Sequence, residues 1–302
     1  MTSSLPGMKM VFCGAAHLDR LGRTNERAVA GTSNPGLFIE RPGGAAFNSA
    51  SVFAALGGAA GLMTILGSDK AASDIRSAAE KRVLVLSAQT GERTGSYTAI
   101  LEPNGDLVIG LADMAIYDAF DANVALDTVA DIDATGWLFL DANLPEETLF
   151  KLASTAECRV AVTTTSSAKA PRLRDALPLI DLLFTNHSEA KVLFDARDDY
   201  LERALSEADV ETIIMTHGAD PVLVMDAGKT LEINVSALKD IKDVTGAGDA
   251  LAGACLFALM DGKSVEQAVK LGVTAAQAIL AVDGPWRPDL RHAINELNGN
   301  LT

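Results

Sequence analysis

Short apolar runs bounded by turn residues recur along the chain and alternate with longer stretches of helical periodicity. The apolar runs predict buried strands, because strands covered on both faces are short and apolar throughout. They are Met10–Cys13, Trp137–Leu140, Val160–Val162, Leu182–Phe184, Thr212–Met215 and Val222–Met225. The predicted helices between them are Asn48–Leu56, Glu146–Ala153, Ser188–Phe194 and Leu201–Ser206. This alternation predicts an α/β fold in which helices cover both faces of a mostly parallel sheet.

Two segments interrupt the alternation and predict a small β-sheet. Residues 94–113 contain the strand-like runs Ser96–Leu101 and Leu107–Gly110 around a Pro-Asn-Gly turn, which is typical of a hairpin. Residues 18–41 are polar and rich in turn residues, and they end in the extended run Leu37–Glu40. Together the two segments could form a lid that excludes water from a pocket; a pair of surface loops without such a role is the alternative.

Composition sets the scale of the core and restricts the class of partner. With 302 residues, 48% of them hydrophobic, the chain can bury a large core. We expect one domain over residues 1–302, with the lid segments inserted. The formal net charge of −15 argues against nucleic acid as a partner, since phosphate backbones are bound by clustered Lys and Arg. No apolar run reaches the length needed to cross a bilayer, so no membrane association is expected.

The cysteines indicate a reducing compartment. The three cysteines, Cys13, Cys158 and Cys255, are odd in number, far apart and set among apolar residues, as expected for buried thiols. A cytoplasmic location is therefore predicted. Residues 1–7 lack the pattern of a signal peptide and are expected to form a disordered tail. Motifs typical of structural zinc, metalloproteases and serine nucleophiles are absent from the sequence.

The segment Asp243–Asp249 carries the strongest candidate chemistry, because two glycines and a carboxylate precede an apolar helical stretch. Glycines allow a ligand to approach the backbone, and the free N–H groups of a first helical turn bind anions. Gly246, Ala247 and Gly248 could hold a phosphoryl group while Asp249 accepts the proton of a substrate hydroxyl. The alternative is that Asp249 only caps the helix, and this segment alone favours neither interpretation.

Two other phosphate-binding motifs do not fit. The dinucleotide fingerprint needs a third glycine where this segment has Leu251. A Walker-type loop ending in Gly262-Lys263-Ser264 would need glycine in place of Phe257. Gly262 is instead expected to end a helix.

Together these features are similar to the ribokinase-like, or PfkB, family of carbohydrate and nucleoside kinases, and the resemblance covers nearly the whole chain. One signature is Pro42–Gly57, in which Gly43 and Gly44 would admit a sugar close to the backbone and Asn48 would bind its hydroxyls. The other is Asp243–Asp249, whose last residue would be the catalytic base. The resemblance implies a three-layer α/β/α fold with a small lid and a phosphotransferase that uses ATP, Mg²⁺ and an alcohol acceptor.

Further nucleotide-site residues are implied by the same resemblance. Asn186 and Glu189 match an Asn-x-x-Glu arrangement that organises Mg²⁺ and phosphate, with Glu189 acting through water. Thr216 and Gly218 match the strand-end segment that contacts the nucleotide, although Pro221 departs from the family pattern. The remaining cofactor-binding candidates are Thr245, Gly246 and Gly248.

The resemblance also implies a sugar contact and a cation site. Asp19 matches an acidic residue that binds sugar hydroxyls, but His17 replaces the asparagine usual two residues earlier. Asp243 and Thr245 match part of a site for a monovalent cation, so K⁺ activation is a weaker expectation.

Within the family, three details resemble the branch that phosphorylates pseudouridine: Ser33–Gly36, Asp113–Met114 and Asp141–Glu147. Asp113 would pair with a uracil N–H or a ribose hydroxyl, Met114 would offer an apolar surface, and Asn143 would lie in the substrate zone beyond a strand. The alternative is that Asp113 and Met114 are ordinary strand-end residues.

The implied reaction is transfer of the ATP γ-phosphoryl group to the 5′-hydroxyl of pseudouridine. Three alternatives stay open: a kinase acting on ribose, fructose, 2-keto-3-deoxygluconate or another nucleoside, a non-catalytic nucleoside or sugar sensor, and, less favoured, a dinucleotide-binding dehydrogenase. Because lid strands leave unpaired edges, a homodimer formed through the lid is also predicted.

Overall fold

The computed structural model describes residues 5, 7–238 and 240–299. Its strands are β1 (Met10–Cys13), β2 (His17–Thr24), β3 (Gly36–Gly43), β4 (Gly61–Leu66), β5 (Val85–Thr90), β6 (Ser96–Leu101), β7 (Leu107–Asp113), β8 (Trp137–Asp141), β9 (Arg159–Thr163), β10 (Leu182–Asn186), β11 (Thr212–Thr216), β12 (Val222–Asp226) and β13 (Lys229–Ile233). Its α-helices are α1 (Ala45–Ala55), α2 (Lys70–Lys81), α3 (Ala122–Ala130), α4 (Glu146–Thr155), α5 (His187–Leu193), α6 (Leu201–Ser206), α7 (Ala247–Met260), α8 (Val265–Leu280) and α9 (Leu290–Gly299). Short 3₁₀ segments cover Ala115–Ala119, Ala170–Leu179 and Asp198–Tyr200.

Nine strands form the main sheet, in the order β13-β12-β11-β10-β9-β8-β1-β4-β5. All neighbours from β11 to β5 are parallel, and β12 and β13 join antiparallel at one edge. The six predicted strands are all present in this sheet, while β4, β5 and β13 were missed. Because the parallel strands share one direction, their carboxyl ends meet along one edge, where α/β enzymes place their sites.

Helices cover both faces of the main sheet, so the fold has three layers. Strand β1 shows the division: Val11 and Cys13 belong to a core cluster with α3, α4, α5 and α6, whereas Met10 and Phe12 belong to a cluster with α1, α2, α7 and α8. The α/β/α architecture predicted from the sequence is confirmed.

A separate four-stranded sheet has the order β3-β2-β6-β7 and is called the lid here. Strand β2 pairs antiparallel with β3 and parallel with β6, and β6 forms the predicted hairpin with β7. The small β-sheet predicted from the sequence is thus present; its role as a lid stays a prediction. Its extended run is longer than predicted, since β3 covers Gly36–Gly43, and β2 lies in a stretch that showed only turn residues and polarity.

The structure differs from the sequence predictions at the start of helix α1 and at the N-terminal tail. Helix α1 begins at Ala45, three residues before the predicted start, with Gly44 as its N-cap. The expected disordered tail lies outside the described residues except for Leu5 and Gly7, and Leu5 is buried in the core, so the expectation is wrong there. Among the described residues, no helix is both long enough and apolar enough to span a membrane.

Candidate active site

The segment before α7 forms a tight turn, and the first turn of the helix that follows borders two cavities. Gly246 precedes the helix with φ of 80°, a left-handed conformation that suits glycine. A Cβ at this position would also lie 2.4 Å from the Pro285 Cβ. Gly248 borders both cavities, and a Cβ built there would meet no atom within 4 Å. The N–H groups of this first turn are therefore approachable by an anionic ligand.

Asp249 lies in the first turn of α7 and faces α1. The Asn48 Nδ2 atom donates a hydrogen bond of 2.8 Å to Asp249 Oδ2. Within the described part of the chain, no side chain caps α7, so the interpretation of Asp249 as a simple helix cap is not supported. Asn48 Oδ1 is buried and has no protein partner among the described residues, so it is free to bind a ligand.

The surroundings of Asp249 raise the pKa of its carboxyl group. Burial raises the pKa of Asp249 to about 7; the Asn48 hydrogen bond opposes this shift, and the charges of Asp141 and Asp19 add to it. The side chain nevertheless lines a cavity, so a substrate can reach it. A carboxylate with a pKa near the working pH is well matched to general base catalysis.

Asp19 lies on β2 with His17 beside it, and both are largely buried. The His17 Nε2 and Asp19 Oδ1 atoms are 3.1 Å apart. The paired glycines allow a close approach of neighbouring groups. A Cβ on Gly43 would lie 2.2 Å from Asp19 Oδ2, and one on Gly44 would lie 2.3 Å from the Ala15 carbonyl oxygen. They make room for Asp19 and for the start of α1, and the contact of their backbone with a sugar stays a prediction.

Asp141 organises the loops around the site, a role that the sequence interpretation missed. Its Oδ2 accepts hydrogen bonds from Ala15 N at 2.8 Å and Ala46 N at 3.0 Å, and its Oδ1 accepts one from Asn143 N at 2.9 Å. A Cβ on Gly14 would lie 2.4 Å from the Asp141 carboxyl carbon. This buried carboxylate thus joins β1, the start of α1 and the loop after β8. In the sequence, the position of Asp141 directly after an apolar strand was the signal that could have indicated this role.

Asn143 is held by a second residue that sequence reasoning missed, Lys169. The Lys169 Nζ atom donates to Asn143 Oδ1, and Arg172 donates to the Asn143 carbonyl oxygen at 2.9 Å. Burial lowers the pKa of Lys169, while the charge of Asp141 opposes that shift. In the described structure Asn143 Nδ2 is buried without a protein partner, which leaves one donor for a ligand.

A cavity of about 120 Å³ brings together most of the predicted phosphate-side residues. Those lining it are Asn186, Glu189, Thr216, Gly248 and Asp249. Asn186 and Glu189 also form a capping box at the start of α5, in which Glu189 N donates to Asn186 Oδ1 at 2.9 Å and Asn186 N donates to Glu189 Oε2 at 3.3 Å. The Thr164 hydroxyl donates to the same Glu189 oxygen.

A larger, apolar cavity of about 440 Å³ lies on the other side of Gly248. Thr216 and Gly218 border it, and its walls are formed mainly by aliphatic side chains from β12, the segment after β13 and helices α7 and α8. Such a lining suits the flat ring of a nucleotide base. Gly218 has φ of 60°, and a Cβ there would point into open space. Of the residues predicted to contact the nucleotide, Thr216, Gly218 and Gly248 border this cavity, and Asn186 and Glu189 line the smaller one. Thr245 and Gly246 line neither of these two cavities.

At the end of the lid hairpin, Asp113 and Met114 have different surroundings. The Arg93 guanidinium forms an ion pair with Asp113, whose side chain is 39% exposed. Met114 packs against the core, with its Sδ next to Gly95. Asp113 therefore has a protein partner within the chain.

At the predicted monovalent-cation position, the Arg41 guanidinium contacts Asp243. Asp243 Oδ1 accepts a hydrogen bond of 2.8 Å from Thr245 N, and the Arg41 Nη2 atom lies 2.7 Å from Asp243 Oδ2. Burial alone would raise the pKa of Asp243, but the hydrogen bonds from Thr245 and Arg41 lower it below its ordinary value. The Asp243 carboxylate thus already has a cationic protein partner, and K⁺ activation stays a prediction.

The chain matches the model of the pfkB family carbohydrate kinases over residues 9–289. The protein belongs to the PfkB family. It is therefore a sugar or nucleoside kinase, a phosphotransferase with an alcohol group as acceptor, and its substrates are small molecules.

Relatives with several acceptors resemble this PfkB kinase. It is 26% identical over 291 residues to the pseudouridine kinase of Escherichia coli K12, covering 93% of each chain. It is 27% identical to the ribokinase of Lactococcus lactis, covering 97% of this chain and 99% of the relative. A solved carbohydrate kinase from Agrobacterium tumefaciens is 33% identical, with a TM-score of 0.82 and 97% of both chains covered. A ribokinase from Arabidopsis thaliana, solved with ribose and ATP, shares the fold with a TM-score of 0.80 at 19% identity, covering 98% of this chain and 99% of that one.

Proposed function

We propose that this kinase transfers the γ-phosphoryl group of ATP to the 5′-hydroxyl of pseudouridine, giving pseudouridine 5′-phosphate and ADP. The observation that carries the chemistry is the Asp249 carboxylate, hydrogen-bonded to Asn48 beside an open helix start. The choice of acceptor is supported by similarity to a pseudouridine kinase over 93% of the chain.

In the proposed mechanism, the acceptor hydroxyl lies between Asp249 and the start of α7. Asp249 takes the hydroxyl proton as the oxygen attacks the γ-phosphorus and the bond to the β-phosphate oxygen breaks. The N–H groups of Gly246, Ala247 and Gly248 stabilise the charge on the transferring group. Asn48 keeps the carboxylate oriented toward the hydroxyl.

Asp19, His17, Asn48 and Asn143 would hold the ribose and its base. Three of these carry a buried polar atom that lacks a protein partner in the described structure: His17 Nδ1, Asn48 Oδ1 and Asn143 Nδ2. Buried polar atoms are costly when unpaired, so these atoms favour a ligand rich in hydroxyl and amide groups. A polyhydroxylated nucleoside supplies both.

The apolar cavity would take the adenine of ATP, and the smaller cavity its terminal phosphates with Mg²⁺. The Glu189 carboxylate would bind the hydrated Mg²⁺; its Oε2 atom accepts hydrogen bonds from the Thr164 hydroxyl and from Asn186 N. Hydroxyl groups that line the same cavity would bind the water molecules around the ion. The described residues contain no group of three or more His, Cys, Asp or Glu side chains that could hold a metal ion, so phosphates and water would have to supply most ligands of the Mg²⁺. When bound, Mg²⁺ neutralises phosphate charge.

The test is an ADP-release assay with Mg·ATP across pseudouridine, uridine, adenosine, ribose, fructose and 2-keto-3-deoxygluconate. A preference for pseudouridine of at least tenfold in kcat/KM is expected. Preference for another acceptor would overturn the substrate assignment and leave the kinase chemistry intact. If no acceptor is turned over, the sensor hypothesis gains support, and nucleoside binding without turnover would establish it.

A free-sugar kinase is the second candidate. It is favoured by the Arg93 partner of Asp113, which occupies the side chain expected to contact the base, and by 27% identity to a ribokinase. Arg93→Ala separates the two candidates. It should alter KM for pseudouridine if Asp113 contacts the nucleoside, and leave KM for ribose unchanged.

We also propose a homodimer formed through the lid. Its strands expose large apolar side chains, including Leu37 at 76% and Leu111 at 68%, and β3 and β7 are free edges of the sheet. Light scattering should give twice the chain mass, and Leu111→Glu should give the single-chain mass. Val124→Glu, at an exposed apolar position on α3, is the matched control and should leave the dimer intact.

A cytoplasmic location is part of the proposal. Cys13, Cys158 and Cys255 are buried as free thiols, which suits a reducing compartment. Fractionation of cells that produce the protein should recover it with cytoplasmic markers.

A further inference from the structure

Arg41 in the lid and Asp243 before the anion-binding turn form an ion pair across 202 residues of sequence. The Nη2–Oδ2 distance is 2.7 Å, and the two side chains are only 15% and 18% exposed. Buried, hydrogen-bonded ion pairs hold their elements in one arrangement more firmly than exposed pairs do. This pair therefore fixes the lid strand β3 relative to the segment that leads into α7.

Backbone groups near the ion pair bind the Asp243 carboxylate and leave room for the Arg41 guanidinium. Gly284 N donates to Asp243 Oδ2 at 3.2 Å, and Thr245 N donates to Oδ1, so both carboxylate oxygens are engaged. A Cβ on Gly284 would lie 2.8 Å from Arg41 Nη1, so a larger residue would crowd the guanidinium. Gly284 has φ of 96°, which also favours glycine.

Arg41 also lies directly opposite Asp19 in the β2–β3 ladder. Two opposite residues of the lid thus have different partners. Asp19 carries the carboxylate proposed to bind the acceptor, and Arg41 carries the guanidinium that holds the anion-binding segment. A guanidinium stays charged at every physiological pH and has a fixed geometry, whereas a bound monovalent ion depends on the medium.

We infer that Arg41 is a positioning residue that takes the place of a monovalent cation beside the anion-binding turn, so that phosphoryl transfer needs no added K⁺. The guanidinium supplies the positive charge on Asp243 and keeps Thr245 and Gly246 in the conformation that presents the helix start to phosphate. A second cation at this carboxylate would be repelled by the first. The inference rests on the kinase activity and not on which acceptor is used.

The first experiment compares the wild-type enzyme in KCl, NaCl and tetramethylammonium chloride at equal ionic strength. The kcat values are expected to agree within about twofold, since the required charge is built into the chain. A several-fold activation by K⁺ over both other salts would overturn the inference.

The second experiment removes the guanidinium. Arg41→Ala should weaken Mg·ADP binding by roughly 10- to 100-fold in tetramethylammonium chloride, the scale of a lost charge-assisted hydrogen bond. Added K⁺ or guanidinium chloride at low millimolar concentration should restore part of the affinity. Titration calorimetry measures this without an acceptor, so failure of the pseudouridine assignment would not affect the result.

Arg41→Lys keeps a charge at this position and should bind Mg·ADP more tightly than Arg41→Ala, without a response to K⁺. Arg20→Ala is the matched control, because Arg20 forms an exposed pair with Glu40 on the same sheet and should leave nucleotide binding unchanged. Loss of affinity in Arg41→Ala that neither K⁺ nor guanidinium restores would show a purely structural role and contradict the inference. If Arg41→Ala fails to fold, the wild-type salt series and Arg41→Lys still decide it.

Discussion

Asp249 and Glu189 are two carboxylates that lie in the first turn of a helix and line the same cavity. Glu189 completes a capping box with Asn186 and receives the Thr164 hydroxyl, so its charge is satisfied by protein donors. Asp249 receives one side-chain hydrogen bond, from Asn48, and burial raises its pKa to about 7. The two carboxylates share a position at a helix start but differ in their partners: Glu189 is bound by several protein donors, whereas Asp249 has the raised pKa expected of a general base.

The largest expected effect is the loss of turnover in Asp249→Asn. If Asp249 is the base, kcat should fall by roughly 10²–10⁴-fold, the usual contribution of a general base. Binding of Mg·ADP should change little, because the amide keeps the size of the carboxylate and the helix start is intact. Steady-state kinetics and calorimetry measure the two quantities. A kcat within fivefold of wild type would remove Asp249 from the mechanism.

The pH profile tests the same residue without mutation. A base with pKa of about 7 must be deprotonated to act, so kcat/KM should be constant above that pH and fall about tenfold per unit below it. Between pH 7 and pH 5 the loss is thus on the order of 100-fold. Glu189→Gln should keep this profile, because the titrating group lies elsewhere. A flat profile down to pH 5 would show that the titrating group is not Asp249.

Six of the nine strands of the main sheet could be predicted from the sequence because they are short apolar runs, whereas the missed strands β5 and β13 are largely unburied. Met10–Cys13 is buried throughout, and its local pattern already reports that burial. Strand β2 was missed because Asp19 and Arg20 interrupt any apolar pattern in a lid strand with mixed burial. Its partners become apparent only in the assembled sheet.

The candidate site was predictable to the extent that its residues are neighbours in sequence. Gly246, Gly248 and Asp249 share one segment, so the chemistry was recognisable from spacing and from the family resemblance. The Arg41–Asp243 pair has no such signal, since 202 residues separate its members. The capping box of Asn186 and Glu189 could have been recognised, because Asn-x-x-Glu is also a helix-start pattern.

A smaller effect concerns stability. The folded state binds the Asp249 proton more tightly than the unfolded chain, where the pKa is near 3.8, so ionisation costs stability as pH rises toward 7. Asp249→Asn should therefore be more stable than wild type at pH 8, by about 2 kcal/mol. This is half of the ~4 kcal/mol that a pKa difference of about three represents, because Asp249 lines a cavity and solvent screening there would lower the cost of its charge. The gain should shrink at pH 5.5. Denaturant unfolding at both pH values measures it, and equal stability at pH 8 would contradict the raised pKa.

The smallest effect separates the charge of Glu189 from its capping role. Glu189→Gln keeps an oxygen that can accept from Asn186 N, so unfolding stability should stay within ~0.5 kcal/mol of wild type. If Glu189 orders Mg²⁺ through water, this variant should still need about tenfold more Mg²⁺ for half-maximal rate, as is usual when a group behind the metal's direct ligands is lost. Gln267→Ala removes the corresponding capping-box residue of α8, which lies outside the cavity, and should lower stability while leaving the Mg²⁺ requirement unchanged. If Glu189→Gln has the wild-type Mg²⁺ requirement, Glu189 serves only as a helix-capping residue. Of the two carboxylates in the cavity, Asp249 alone would then take part in the reaction.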